Sequence, residues 1–95
     1  MRIEATDSFS RWINSLKHVV SRARIQARIE RLADGNPGQH RMLTGGVAEL
    51  KIDFGPGYRV YYVQRGNILI VLLAGGDKAT QEKDIQTALT LAKHL

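Results

Sequence analysis

The sequence predicts an α+β fold in which strands and helices follow the order β-α-α-β-β-β-α. Apolar residues recur at helical spacing in two early segments and one late segment. Between them lies a stretch of alternating or continuous apolar residues, which glycine-rich turns divide into three strands. We therefore predict one domain, residues 1–95. It would hold a mostly antiparallel four-stranded sheet, with an N-terminal helical hairpin and a C-terminal helix covering one face.

The first third of the chain predicts one short strand and two helices. Ile3 and Ala5 alternate with polar residues, as in a half-buried strand. The first helix would follow a cap at Thr6 or Asp7, and its apolar stripe comprises Phe9, Trp12, Ile13 and Leu16. The second helix would run from about Val20 to Leu32, before Asp34-Gly35-Asn36-Pro37-Gly38 stops it.

The middle of the chain predicts a meander of three strands. The first has Ala48, Leu50, Ile52 and Phe54 on one face. The turn Gly55–Gly57 leads to a strand over Tyr58–Arg65, and a two-residue Gly66-Asn67 loop leads to a third over Ile68–Ala74. That third strand is apolar throughout, which is typical of a strand covered on both faces. The final helix would begin near Thr80, whereas the segment Arg41–Thr44 could extend the sheet or remain a loop.

Composition narrows the possible functions. The chain has a net charge of +5 and a pI near 10, which favours a polyanionic partner such as nucleic acid or the ribosome. It contains no cysteine, which excludes disulfides and thiolate chemistry and fits the cytoplasm. No signal-peptide core or membrane-spanning stretch is evident, so we expect no membrane association. The three histidines lack metal-ligand spacing, and we expect neither a metal nor a cofactor.

Hairpin geometry predicts a cluster of charged residues at one end of the sheet. A three-residue loop places Asp53 opposite Arg59 and Lys51 opposite Tyr61, and the next hairpin places Arg59 opposite Ala74, near Lys78. Arginine and lysine side chains together suit a phosphate group. The alternative is a plain cross-strand salt bridge between Asp53 and Arg59, with solvated lysines.

A second cationic feature lies on the predicted second helix. Its arginines recur at helical spacing and should stack on one face: Arg24, Arg28 and Arg31. They could bind RNA phosphates, or they could form an ordinary solvated helix face. Similarly, the tyrosines at 58, 61 and 62 could stack on bases or pack in the core.

Two segments resemble a known family. Residues 49–53 (ELKID) followed by residues 55–62 (GPGYRVYY) resemble the RelE/ParE toxin superfamily. Residues 75–78 (GGDK), with Gln81, Lys83, Asp84 and Ile85, are similar to its HigB-like, phage-derived addiction-module killer branch. The element order agrees with that superfamily, so the resemblance extends over nearly the whole chain.

The resemblance implies a toxin of a type II toxin–antitoxin system. RelE- and HigB-like members cleave messenger RNA in the ribosome without metal, by attack of a 2′-hydroxyl on the adjacent phosphate. Arg59 matches the arginine that stabilises the phosphate, and Lys51 and Lys78 match basic positions. The implied partners are the ribosome, mRNA and a cognate helix-turn-helix antitoxin encoded next to the toxin, with a heterotetrameric complex as one assembly.

The resemblance does not identify the acid and base. Asp53 stands where RelE-like enzymes tend to carry lysine, and Asp84 stands about where RelE has a tyrosine. His94 matches a functional histidine of some HigB-like toxins in position only. The candidate acid–base groups are therefore Asp53, Asp84 and His94, besides Lys51. This gap leaves two alternatives to the nuclease: a ParE-like gyrase inhibitor without its own catalysis, and a small basic interaction module.

Overall fold

The computed structural model describes residues 1–95 and contains three α-helices and one five-stranded sheet. The elements are β1 (Arg2–Ala5), α1 (Asp7–Ser15), α2 (Val19–Ala33), β2 (His40–Met42), β3 (Ala48–Ile52), β4 (Tyr58–Arg65), β5 (Leu69–Gly76) and α3 (Gln81–Ala92). Short 3-10 turns at Thr44–Gly46 and Lys78–Thr80 precede β3 and α3. The predicted helices and the three central strands are confirmed. None of the helices combines the length and the apolar composition needed to cross a membrane.

The sheet differs from the prediction in strand number and direction. Its order is β1-β5-β4-β3-β2, with β1 parallel to β5 and the other pairs antiparallel. The fifth strand, β2, overlaps the first half of the segment Arg41–Thr44, for which the sequence allows either a strand or a loop. Backbone hydrogen bonds from Lys51 N to Gln39 O (3.0 Å) and from Leu43 N to Val47 O (2.7 Å) attach it to β3. The expected four-stranded sheet was therefore wrong, and the sheet is mixed.

Helices pack on both faces of the sheet, which corrects the prediction that they cover one face. Helices α1 and α2 cover one face, where thirteen buried residues form the larger apolar cluster. Helix α3 covers part of the other face over a cluster of seven. The physical reason lies in β5, whose Ile70 and Leu72 face the first cluster while Val71 and Leu73 face the second. A strand that is apolar on both sides needs cover on both sides.

The register of the central hairpins differs from the predicted one. Asp53 leaves the strand, so the first hairpin loop is longer than three residues, and Lys51 rather than Asp53 lies opposite Arg59. The shift is two residues, so each side chain keeps its predicted face. The second loop has three residues instead of two, and a β-bulge at Tyr61/Tyr62 places Arg59 opposite Gly76 instead of Ala74.

The carboxyl end of β5 lets a helix approach closely on each face. A Cβ atom on Gly75 would overlap the indole ring of Trp12 in α1, and one on Gly76 would overlap the carboxylate of Asp84 in α3. A side chain at Gly75 would therefore have to displace the rigid indole ring, and one at Gly76 would have to displace the carboxylate of Asp84. Trp12 also packs edge-on against Tyr58, with ring centroids 6.2 Å apart, as part of the core that its stripe predicted.

Candidate anion-binding cleft

Helix α3 leaves one end of its sheet face uncovered, and a polar cleft of about 440 Å³ lies there. Its floor is formed by β3 and β4, one wall by β2 and the other by the first residue of α3. No apolar residue lines it. The lining residues are Gln39, His40, Arg41, Glu49, Lys51, Arg59 and Gln81. We refer to this site as the β3–β4 cleft.

Arg59 is the most deeply buried cation of the cleft. Its side chain is only about 7% exposed, because β4 is a central strand. Nη1 donates a hydrogen bond to the carbonyl of Gly57 (2.7 Å). Nε lies 3.9 Å from Oε2 of Glu49, too far for a hydrogen bond, and it has no other acceptor; Nη2 also has none. A buried guanidinium with free donors is suited to an incoming anion.

Glu49 is the one carboxylate in the cleft, and both of its oxygens are occupied. Oε1 accepts from Nε of Arg41 (2.8 Å), and Oε2 accepts from the amide of Gln81 (3.0 Å). Burial alone would raise the pKa of Glu49. Interactions with Arg41, Gln81 and Tyr61 together outweigh it and hold the pKa below the usual range. Glu49 is therefore ionised at neutral pH.

Tyr61 lies beneath the cleft and is completely buried. Its hydroxyl has no hydrogen-bond partner of good geometry. Burial raises the pKa of Tyr61, and the nearby Glu49 and Asp84 carboxylates raise it further. The phenol therefore stays neutral. Because Tyr58 and Tyr62 are also buried, the alternative in which the tyrosines pack in the core is correct.

Lys51 and Lys78 add cationic charge around Arg59. Lys51 is half-buried and lies directly across from Arg59 on the same side of the sheet. Lys78 is exposed and lies beside Gly57. A Cβ atom placed on Gly57 would lie 3.6 Å from Cβ of Lys78 and 3.1 Å from Nη1 of Arg59. The three predicted cations therefore do converge at this end of the sheet.

The three candidate acid–base residues do not converge there. Asp53, expected opposite Arg59, is exposed in the hairpin loop and lines a separate groove beside α2. His94 follows the end of α3, and the helical rise places it about 20 Å from Gln81. Only Asp84 is near: its carboxylate lies over Gly76, accepts a hydrogen bond from Thr80 and influences Tyr61.

The predicted arginine stripe lies on α2, against the opposite face of the sheet. Its side chains line what we call the arginine groove, together with other residues: Arg24, Arg28, Arg31, Ala27, Gln39, Ile52, Asp53 and Phe54. Arg28 donates to the carbonyls of Lys51 (2.7 Å), Pro37 (3.0 Å) and Gln39 (3.1 Å), so it fastens the loop before β2 to β3. Arg24 stacks on Phe54, 4.6 Å from the ring centroid, and Arg31 is exposed.

Five residues of the cleft were not identified as site residues from the sequence, and they are His40, Arg41, Gln39, Glu49 and Gln81. The first two depend on β2 being a strand, which three exposed residues do not signal. Glu49 shares the face of Lys51 by strand alternation, which was the available clue. Gln81 was noted as part of the family resemblance, and its side-chain amide reaches Glu49 in the cleft.

The arrangement is suited to binding phosphate. Three cations face one carboxylate in the cleft, giving a local charge of +2, and Lys78 lies just beyond its edge. Arginine donors in a partly desolvated cleft can hold the non-bridging oxygens of a phosphate and stabilise extra charge that develops on them. No group of three or more His, Asp or Glu side chains is placed to hold a metal ion.

The fold and cleft define a small basic α+β protein with a candidate anion-binding cleft on an open sheet face. A family model described as "Phage derived protein Gp49-like (DUF891)" matches residues 11–94. The chain therefore belongs to the Gp49-like family, a RelE/ParE-like family of toxin–antitoxin modules. It is also similar to an uncharacterized protein of Haemophilus influenzae (strain Rd), with 45% identity over the whole chain and 96% of the relative's length. Membership in a toxin–antitoxin family implies a cognate antitoxin.

Proposed function

We propose that this protein is the toxin of its module and a ribosome-dependent mRNA endonuclease of the HigB-like branch, acting in the cytoplasm. The observation that carries the proposal is the state of Arg59: its side chain is almost completely buried and lines a polar cleft, yet Nη2 has no hydrogen-bond acceptor. Buried polar groups ordinarily have hydrogen-bond partners, and an anion in the cleft would supply one for Arg59.

The proposed reaction is internal transesterification of RNA. The 2′-oxygen attacks the adjacent phosphorus, the bond from phosphorus to the 5′-oxygen of the next nucleotide breaks, and a 2′,3′-cyclic phosphate forms. The proton of the 2′-hydroxyl goes to a base, and another proton goes to the leaving 5′-oxygen. Arg59 and Lys51, opposite each other on β4 and β3, would neutralise the phosphate as it becomes five-coordinate.

Of the candidate acid–base side chains, Asp84 lies nearest to Arg59. Its carboxylate lies over Gly76, the cross-strand partner of Arg59. His40 is paired with Leu50, which faces α1 and α2, so the His40 side chain lies on the opposite face of the sheet from Lys51 and Arg59. We therefore propose that Asp84 moves one of the two protons.

The dependence on the ribosome follows from the openness of the site. The cleft supplies charge, but it has no apolar or aromatic wall to fix a base or to align the 2′-oxygen with the leaving oxygen. Alignment of reacting groups contributes as much as about 7–11 kcal/mol to such steps. We propose that the decoding site provides this alignment by holding the mRNA.

The antitoxin would silence the protein by binding near the cleft or by preventing entry into the ribosome. We propose a neighbouring helix-turn-helix partner, with a heterotetramer as the resting complex. The cationic surface favours fast, salt-sensitive association with an acidic partner.

The decisive experiment maps mRNA ends in a translating extract after adding the purified protein. We expect new 5′ ends within translated codons, and little cleavage of the same RNA without ribosomes, with or without a chelator. Intact mRNA combined with inhibited DNA gyrase would refute the nuclease and support the ParE-like alternative. Rapid, chelator-sensitive cleavage of naked RNA would refute the proposed mechanism.

A further inference from the structure

Arg41 occupies an unusual position for a surface arginine. It lies on the edge strand β2 and is more than half exposed, but its Nε is fixed at 2.8 Å to the nearly inaccessible carboxylate of Glu49. Its two terminal nitrogens have no acceptor in the protein and line the cleft. An exposed arginine ordinarily samples many rotamers, whereas this guanidinium is held at one end and open at the other.

Glu49 stands between two arginines. Oε1 contacts Arg41, while Oε2 lies 3.9 Å from Nε of Arg59, so the two guanidiniums approach opposite oxygens of the same carboxylate. Gln81 fixes Oε2 from the start of α3. Strands β2 and β4 and helix α3 thus meet through this one side chain.

We propose that Glu49 is a positioning residue that holds Arg41 beside Arg59 as a second phosphate-binding arginine of the cleft. The proposal rests on the proposed function, because it takes RNA as the ligand. Glu49 does not act as a proton acceptor here, since both oxygens are already engaged. Its effect is to reduce the conformational freedom that Arg41 would otherwise lose on binding RNA.

This role reverses the expectation from charge alone. Removing a carboxylate from a cationic cleft should strengthen RNA binding by Coulomb attraction. If Glu49 positions Arg41, its removal should instead weaken binding. Two substitutions separate the effects, because Glu49→Ala and Glu49→Gln change the charge equally but only glutamine keeps an oxygen that can accept from Arg41.

The test measures binding of a short 2′-O-methyl RNA oligonucleotide, which cannot be cleaved, by fluorescence anisotropy over a series of salt concentrations. We expect Glu49→Ala to weaken binding about fivefold and Glu49→Gln to fall between it and the wild type. Arg41→Gln should lower the slope of log affinity against log salt by about 0.7, the value for one phosphate contact on a single strand. Adding Glu49→Ala to Arg41→Gln should cause no further loss.

The exposed pair Arg2–Glu4 provides the matched controls, since it is a salt bridge on β1, at the opposite edge of the sheet. Glu4→Ala and Arg2→Gln carry the same charge changes and should leave affinity within about twofold. Cooperative unfolding of each variant checks that it is folded. Arg41→Lys repeats the test without altering a buried residue: it keeps the charge, and we expect it to lose at least threefold in affinity.

Three outcomes would overturn the proposal. The first is that Glu49→Ala and Glu49→Gln both bind RNA at least as tightly as the wild type. The others are that Arg41→Lys binds normally, or that the wild-type protein does not bind the oligonucleotide at low salt. Failure of the nuclease proposal looks different. Loss of cleavage in the translating extract would refute the enzyme activity, while the order of the binding affinities would still decide the role of Glu49.

Discussion

Arg28 and Arg59 sit in two regions whose cationic residues look alike in the sequence but differ in the structure. In the arginine groove, Arg28 donates to three backbone carbonyls. In the β3–β4 cleft, Arg59 donates to one and keeps free donors although it is far more buried. Nε lacks a hydrogen-bond partner in both residues, so the difference lies in the terminal nitrogens: both donate in Arg28, whereas Nη2 of Arg59 does not. Occupied terminal nitrogens, more than charge, therefore distinguish the arginine that holds the fold together from the one that we propose binds a ligand.

The largest expected effect is on Arg59. Replacing it with alanine removes the buried donors and should reduce mRNA cleavage by about 100-fold or more, with a parallel loss of growth arrest. Cleavage is measured by end mapping in the translating extract, with circular dichroism as the check on folding. Full toxicity from a folded Arg59→Ala protein would break the comparison.

Arg28→Ala should affect stability instead of chemistry. Three carbonyls lose a charged donor, and we expect the free energy of unfolding to fall by about 2–3 kcal/mol. Below its melting temperature the variant should cleave nearly as well as the wild type. Urea titration measures the first effect and end mapping the second; a stable but inactive Arg28→Ala protein would show that the groove also binds substrate.

Lys78→Ala should give an intermediate loss of activity. The side chain is exposed and joins the cleft only at its edge beside Gly57, so we expect a reduction of about tenfold, with no change in melting temperature. Lys83→Ala is the control, because this lysine lies five residues further along the chain and outside the β3–β4 cleft. Equal effects from both lysines would indicate general charge attraction, not a local contact.

The two regions should also differ in their response to acid. Arg28 is held by carbonyls, which do not titrate, whereas Arg41 is held by Glu49, whose folded-state pKa is lowered. A lowered pKa stabilises the fold above the unfolded value of about 4.3, and this contribution is lost as pH falls through the folded pKa. Urea unfolding at pH 7 and pH 3 should therefore show a smaller loss on acidification in Glu49→Gln than in the wild type.

The smallest effect is expected for the remaining groove arginines. Arg24 gains only a stacking contact with Phe54, and Arg31 is exposed. We expect Arg24→Ala and Arg31→Ala each to change cleavage by about twofold or less, consistent with surface charges worth under about 0.5 kcal/mol. A loss comparable to that of Lys78→Ala, measured in the same extract, would restore the arginine stripe as an RNA-binding surface.

Strand alternation explains how much of the cleft the sequence could predict. Lys51 and Arg59 were correctly placed on one face, because a register error of two residues leaves every side chain on its own side. Asp53 was misplaced because β3 ends at Ile52, two residues before the end of the apolar pattern at Phe54. Helical spacing likewise grouped Arg28 with its neighbours, but it carries no information about which carbonyls lie within reach.

The secondary structure could be predicted where the apolar pattern was long. The prediction failed where only the pairing of strands defines an element. Helices α1, α2 and α3 and strand β3 follow a clear apolar period, and β5 is a long continuous apolar run. Strand β2 has three exposed residues, and only its hydrogen bonds to β3 make it a strand. Strand β1 pairs in parallel with β5, although the two strands are far apart in the sequence. Local sequence patterns do not specify such a long-range pairing.

The two glycines that end β5 give separate mutational access to the two helical layers. Any side chain at Gly75 would displace Trp12 and loosen α1, while any side chain at Gly76 would displace Asp84 and shift the start of α3, which carries Gln81. Substitutions at these two adjacent positions should therefore affect different properties: those at Gly75 the integrity of the core, and those at Gly76 the shape of the cleft. Suppose that cells are selected for survival while they express the protein. Survivors with a substitution at position 75 should contain little of the protein, whereas survivors with a substitution at position 76 should contain abundant protein that does not arrest growth.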